Sequence, residues 1–61
     1  MSAKVGQLVK LTKPAGWYVD LTEGGIYTVI ELDCDDPADV IVIDDAGDRN
    51  IIFLDEYEVV E

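Results

Sequence analysis

Hydrophobic and polar residues alternate along most of this chain with a period of two, which is the pattern of half-buried β-strands. The alternation covers residues 7–12 and, most clearly, residues 26–32. Around the first of these segments we expect Val5, Val9 and Leu11 to point inward. In the second segment the alternation predicts two faces, one with Ile26, Thr28, Ile30 and Leu32, the other with Tyr27, Val29 and Glu31.

The second half of the chain predicts a β-hairpin. Residues 40–43 form a continuous apolar run that is too short for a stable helix. We therefore expect a strand that is buried on both faces or lies at the rim of a barrel. Residues 44–49 form the turn, with Gly47 placed for a left-handed backbone conformation, and residues 50–53 return as the partner strand.

Segments rich in Gly, Pro and Asp separate the strands, at residues 13–16, 22–25 and 33–39. Such residues interrupt regular structure. Residues 54–57 suit one short helical turn, and residues 58–60 suit a last short strand. Five short strands without a long helix predict an all-β fold with a single domain over the whole chain. Closure into a small five-stranded barrel would remove the exposed sheet edges.

The residue inventory excludes several kinds of site. The chain has one cysteine, Cys34, and no histidine. An internal disulfide and a Ser–His or Cys–His pair are therefore excluded, and the usual ligands of a closed zinc site are missing. We expect no enzyme activity, no bound metal and no cofactor, because a barrel of this size has little room for a closed pocket.

Composition also bears on location. Hydrophobic residues make up 49% of the chain, which disfavours disorder. No apolar run approaches the ~18 residues of a membrane span, and the N-terminal segment lacks the long apolar stretch of a secretory signal. With a lone thiol, this composition predicts a cytoplasmic protein without a membrane partner.

Charge is divided unevenly along the chain. Residues 1–19 contain three lysines and no acid, a charge of +3, whereas residues 20–61 contain 14 acids and one arginine, 1 − 14 = −13. The sum is −10. Such a field repels phosphate and attracts basic surfaces. It disfavours nucleic-acid binding and predicts the basic surface of another protein as the partner.

Two acidic segments are candidates for that contact surface. The denser lies at residues 33–39, and the second is the predicted turn at residues 44–49. The first lacks the spacing of a calcium-binding EF-hand loop, whereas the second, with aspartates around Gly47, slightly resembles a calcium-binding loop. Each has a simpler alternative, a solvated loop for the first and ordinary Asp–Gly turn chemistry for the second. The candidate residues are Asp33, Asp35, Asp36 and Asp39 in the first segment and Asp44, Asp45 and Asp48 in the second.

Trp17 and Tyr18 are the candidate apolar anchors of the interface. They follow a predicted loop that contains Pro14 and Gly16, and Trp and Tyr are frequent among the residues that dominate binding energy. The alternative is that Trp17 folds over one end of the core as a lid, since large aromatic side chains contribute much of a small core.

The order of the elements resembles the Src-homology-3-like small barrel. Residues 21–32 are similar to that fold's diverging turn and second strand, the 44–49 turn to its distal hairpin, and residues 54–60 to its final helical turn and strand. The resemblance implies a five-stranded barrel with one short helical turn before the last strand. It does not extend to the proline-rich-peptide site of that family, because no Trp begins the third strand and a Glu precedes Tyr57.

A looser similarity is to small cytosolic proteins of bacteria and their phages, carried by residues 6–11, 25–29 and 44–48. That similarity implies an inhibitor or modulator of a host protein. Together with the charge, it favours a non-enzymatic module that binds a nucleic-acid-handling protein, with carboxylates in the place of phosphates. The alternative is a structural β-protein, monomeric or weakly self-associating, without regulatory activity.

Overall fold

The computed structural model describes residues 3–13, 16, 18–36 and 38–60, and within these ranges the protein contains only β-strands and one 3₁₀ turn. The all-β prediction is confirmed, as is the short helical turn before the last strand. No helix within these ranges has the length and hydropathy needed to cross a membrane. The elements in chain order are β1 (Leu8–Leu11), β2 (Ile26–Leu32), β3 (Val40–Ile43), β4 (Arg49–Ile52), the 3₁₀ turn (Leu54–Glu56) and β5 (Tyr57–Val59).

The five strands form one antiparallel sheet in the order β4–β3–β2–β1–β5. The edge strands β4 and β5 are not paired with each other over the residues described, so the sheet is not closed. The sheet is curved, because β1 and β5 contribute to the same buried cluster as β3 and β4. The members of this core are Ala3, Val9, Leu11, Tyr27, Val29, Val40, Val42, Ile52 and Tyr57.

A β-bulge in β2 changes which residues face the core. The register against β3 shifts between Val29 and Glu31, so Ile30 is an extra residue on this strand. An extra residue reverses the alternation beyond it. Leu32 therefore packs against the core, as Tyr27 does before the bulge. Strict alternation predicts Leu32 on the face opposite to Tyr27, and this prediction is wrong.

In β1 and β3 every second residue is buried, so each strand packs one face on the core. Val9 is buried as predicted, but Val5 is exposed because it lies in a turn before β1 begins. In β3, Val42 is fully buried, Ile41 is half-buried and Ile43 is 41% exposed. The prediction that this strand is buried on both faces is wrong, because only its inner face packs on the core. The outer face is partly exposed to solvent.

The hydroxyl of Tyr57 joins the start of the described chain to the acidic loop. Tyr57 is buried at the beginning of β5. Its hydroxyl accepts the N–H of Ala3 at 3.2 Å and donates to the carbonyl of Ala38 at 2.7 Å. A buried hydroxyl needs such partners. The 33–39 loop is thereby held against the same end of the core as Ala3.

Candidate protein-interaction surface

The two acidic segments lie at opposite ends of the β2–β3 pair. The 33–39 loop joins the end of β2 to the start of β3, whereas the 44–48 turn follows the end of β3. β3 contains four residues, and a strand rises ~3.3 Å per residue, so the two segments are separated by about 13 Å along the sheet. The predicted acidic residues are therefore divided between two ends of the sheet.

The 33–39 loop is shaped by its own carboxylates and backbone. The amide of Asp33 donates to the carbonyl of Asp39 at 3.1 Å. Asp33 Oδ1 accepts the amide of Asp35 at 3.3 Å, and Asp36 Oδ1 accepts the amide of Ala38 at 3.1 Å. Asp35 and Asp36 are exposed and Asp33 is half-buried. All three residues are therefore at least partly accessible to solvent.

Asp39 has a different environment from the rest of the loop. Its side chain is buried, with 9% of the residue exposed. Asp39 Oδ1 accepts the amide of Leu54 at 2.8 Å, at the start of the 3₁₀ turn. A carboxylate in this arrangement satisfies a backbone donor that has no partner within the turn. Asp39 therefore adds to the negative charge of the loop, and its carboxylate also fixes the loop to the 3₁₀ turn.

Asp44 organises the 44–48 turn from within. It is 8% exposed, and its Oδ1 accepts the amides of Asp48 at 2.9 Å and Ala46 at 3.0 Å. Its Oδ2 accepts the side-chain amide of Asn50 at 3.2 Å. The pKa of Asp44 is lowered, chiefly by the hydrogen bond from the Asp48 amide. The Asn50 side chain and the amides of Ala46 and Gly47 also lower it, whereas burial opposes this effect. Gly47 has φ 85°, as the sequence predicts.

Asp45 joins the 44–48 turn to the 22–25 turn. Its Oδ2 accepts the Thr22 hydroxyl at 2.7 Å, and its Oδ1 accepts the Tyr27 hydroxyl at 3.1 Å. Its amide donates to the carbonyl of Asp20 at 2.8 Å. Asp45 nevertheless remains exposed, as does Asp48. Both present negative charge at this end of the sheet.

Tyr18 lies against the edge of the sheet and is half-buried, while Trp17 lies outside the described residues. The Tyr18 hydroxyl accepts the amide of Phe53 at 3.0 Å and donates to Glu56 Oε1. The pKa of Tyr18 is raised, chiefly because the side chain is partly buried and secondly because of the hydrogen bond to Glu56. Its ring also packs on the core. The role of Tyr18 as a partner anchor stays a prediction, and the hydroxyl already has intramolecular partners.

Asn50 is a structural residue that the sequence interpretation missed. It lies opposite Val42, at an inward position of β4. Its Oδ1 accepts the amide of Ile51 at 2.9 Å, and its Nδ2 donates to the carbonyl of Val19 at 3.1 Å. The signal in the sequence was an amide side chain at a core-facing strand position, where apolar residues are usual.

The outer face of β2, β3 and β4 carries a group of isoleucines, here called the isoleucine strip: Ile30, Ile41, Ile43 and Ile51. Ile41 lies directly opposite Ile51 in β4 and opposite Glu31 in β2. Ile43 lies opposite Arg49. Arg49 forms an ion pair with Glu31 that runs across β3, and both side chains are exposed.

One group of potential metal ligands is present in the described ranges. The ligand atoms of Asp33, Cys34 and Asp35 lie within 4.8 Å of one another, and Cys34 is exposed. Two hard carboxylates with one soft thiolate do not match the preference of a single type of metal. The arrangement is that of a solvated acidic loop.

Comparison of the chain with protein-family models, with curated proteins and with solved structures finds no match.

Proposed function

We propose that this protein is a non-enzymatic cytoplasmic module that binds the basic surface of another protein. The supporting observation is the charge of β2, β3, β4 and their two connections. Residues 26–52 contain eight acids and one arginine, 1 − 8 = −7. That arginine, Arg49, is paired with Glu31. The remaining carboxylates have no basic side chain within the same segment to oppose them.

Exposed carboxylates at both ends of the sheet supply the attraction. Asp35 and Asp36 are exposed at one end, and Asp45 and Asp48 are exposed at the other. Charges of one sign on a small surface raise the rate at which a charged partner associates. The attraction is screened by salt, since the Debye length is about 10 Å at 0.1 M ionic strength. Binding is therefore strongest at low salt.

The partner class that suits this surface best is a protein that handles nucleic acids. Such proteins hold lysines and arginines in a groove where they neutralise phosphates. The exposed aspartates at the two ends of the sheet take the place of those phosphates, so binding blocks the groove and inhibits the partner. Inhibition of this kind is the activity that we propose for a phage-type modulator of a host protein.

The fold that we propose is a small Src-homology-3-like barrel. Its support is the sheet order β4–β3–β2–β1–β5 with a 3₁₀ turn between the two edge strands. The bulge at Ile30 bends β2 where it passes from its pairing with β1 to its pairing with β3. A bend at this point lets one strand serve two halves of a curved sheet.

The alternative is a self-associating structural protein that buries the isoleucine strip against a second copy. Ile43 and Ile30 are exposed there, and burial of apolar surface drives association. Each copy carries a charge of −10, which opposes this association at low salt. Sedimentation that shows only a monomer at high protein concentration and high salt rules out the alternative.

Calorimetric titration with oligolysine tests the proposed function. We expect binding that weakens at least about tenfold between low and physiological salt, because the attraction is screened. The double variant Asp35→Asn/Asp36→Asn is compared with Glu23→Gln/Glu58→Gln, which removes the same charge from exposed positions outside residues 26–52. The first double variant must weaken binding more. Binding of polyphosphate in preference to oligolysine contradicts the proposal.

A further inference from the structure

We propose that the outer face of β2, β3 and β4 is the docking surface of this protein, and that its occupant is a polypeptide with apolar side chains flanked by lysine or arginine. This inference rests on the proposed function. It adds the location of the contact and an apolar requirement on the partner, which charge alone does not supply.

The isoleucine strip supplies the apolar centre of the surface. Ile41 and Ile51 lie directly opposite each other across β3 and β4 and are half-buried. Ile43 is 41% exposed, and the bulge residue Ile30 is 37% exposed. The bulge leaves both Ile30 and Glu31 exposed, outside the core. Cross-strand neighbours on one face form a continuous surface, so these side chains can be covered together.

Acidic segments border the strip at both of its ends. The 33–39 loop lies where β3 begins, and the 44–48 turn lies where β3 ends. An apolar centre with a polar rim is the usual organisation of a protein–protein interface. Here the exposed rim carboxylates include Asp36 and Asp48, so the complementary partner carries basic residues on both sides of an apolar segment.

The Arg49–Glu31 ion pair crosses the isoleucine strip, and the side chains of both residues are exposed. Exposed ion pairs contribute little to stability because water screens them. A lysine or arginine of the partner therefore replaces Arg49 beside Glu31 at little cost. Arg49 is the cross-strand neighbour of Ile43, so its released side chain can then swing away and leave the strip to the partner.

Charge decides between the partners that an apolar face can take. A second copy of this chain brings its own acidic loops to the interface, and each copy carries −10. A nucleic acid brings phosphates against carboxylates. A basic polypeptide is the occupant that satisfies both the strip and its rim.

An exposed valine outside this surface provides a matched control. Val59 is 39% exposed in β5, and it lies opposite Val9 in β1. β5 and β4 are the two edges of the sheet. Val59 is thus an apolar residue of similar exposure that lies outside the outer face of β2, β3 and β4.

The test uses a peptide of alternating valine and lysine, with oligolysine of equal charge as the charge-only probe. We expect wild-type protein to bind the valine–lysine peptide more tightly than oligolysine. Ile43→Thr is expected to weaken binding of the valine–lysine peptide by about five- to tenfold, from lost apolar burial. Val59→Thr is expected to change it by less than about twofold. Ile30→Thr serves as a second variant in the strip, and amide spectra verify that all three variants are folded.

The outcomes separate the two proposals. Equal effects of Ile43→Thr, Ile30→Thr and Val59→Thr, with oligolysine still bound, overturn the docking surface and leave charge-driven binding intact. Failure of wild-type protein to bind either peptide at low salt overturns the proposed function and the docking surface together. A dimer at low salt that Ile43→Thr dissociates assigns the strip to a second copy and also overturns the inference.

Discussion

The side-chain amide of Asn50 donates to the carbonyl of Val19 at 3.1 Å, across 31 residues of sequence. Through its Oδ1 the same side chain accepts the amide of Ile51, and the Tyr18 hydroxyl accepts the amide of Phe53. Residues 18 and 19 therefore lie beside β4, where the Asn50 side chain occupies the amide of Ile51 and the Tyr18 hydroxyl occupies the amide of Phe53, just after the strand. Unpaired donors at a sheet edge invite pairing with other chains, so this contact protects the edge.

Replacement of Asn50 by alanine is expected to destabilise the fold by about 1–2 kcal/mol, because the amide of Ile51 and the carbonyl of Val19 both lose a partner. The exposed edge is also expected to promote self-association. Chemical denaturation and sedimentation measure the two effects. Thr28→Ala, at an exposed strand position, is the control and leaves the oligomeric state unchanged. Equal stability of the two variants contradicts the proposed edge role of Asn50.

Tyr18 is expected to confer an alkaline limit on stability. Burial and the hydrogen bond to Glu56 raise its pKa above the ordinary value. Its stabilising contribution is therefore fully present below about pH 10, the ordinary tyrosine value, and is lost as pH rises through the raised pKa. The unfolding free energies of wild type and Tyr18→Phe, measured against pH, should differ by a constant amount below pH ~10 and converge above it. A constant difference at all pH values would be inconsistent with this assignment.

The Asp44 carboxylate is expected to confer an acid limit. Its pKa is lowered, chiefly by the Asp48 amide, so its contribution is present above the ordinary aspartate pKa of about 4 and is lost as pH falls through the lower value. Asp44→Asn should therefore be less stable than wild type at neutral pH. The difference should shrink below pH ~4. A difference that grows on acidification would contradict the prediction.

Gly25 is expected to be intolerant of a side chain. A Cβ built there lies 2.9 Å from the Thr22 carbonyl oxygen and 2.9 Å from the Tyr27 ring and hydroxyl. The Tyr27 hydroxyl is held by Thr22 and Asp45, so the ring cannot move without breaking these bonds. Gly25→Ala should cost about 1–3 kcal/mol, in the range of overpacking.

Gly16→Ala is the matched control, since a Cβ at Gly16 meets nothing within 4 Å among the described residues. Thermal denaturation compares the two variants. Equal melting temperatures would show that the turn at residues 22–25 relaxes around the added methyl group.

Two strands of this protein have the bounds that the sequence predicts. The alternation over residues 26–32 predicts β2, and the continuous apolar run over residues 40–43 predicts β3. The bulge at Ile30 is not predictable from the sequence. The residues around it fit a simple alternation, and the inward position of Leu32 depends on how β2 pairs with β3. Periodicity of two carries no information on where pairing shifts.

The structural roles of the acidic residues are also not predictable from the local sequence. Asp35 and Asp39 belong to the same acidic run, yet Asp39 is buried because Leu54, distant in sequence, offers it an unpaired amide. Asp44 and Asp45 are adjacent, but one shapes its own turn and the other reaches Thr22. These differences depend on which backbone donors the fold brings to each carboxylate.

A titration followed by amide chemical shifts, with the valine–lysine peptide at low and at physiological salt, is the most direct test of the acidic docking surface. The expected result is a set of shifts that includes Asp35, Ile41, Ile43 and Asp48, with an affinity that falls as salt rises. Shifts confined to β1 and β5, or an affinity that salt does not change, would contradict the account.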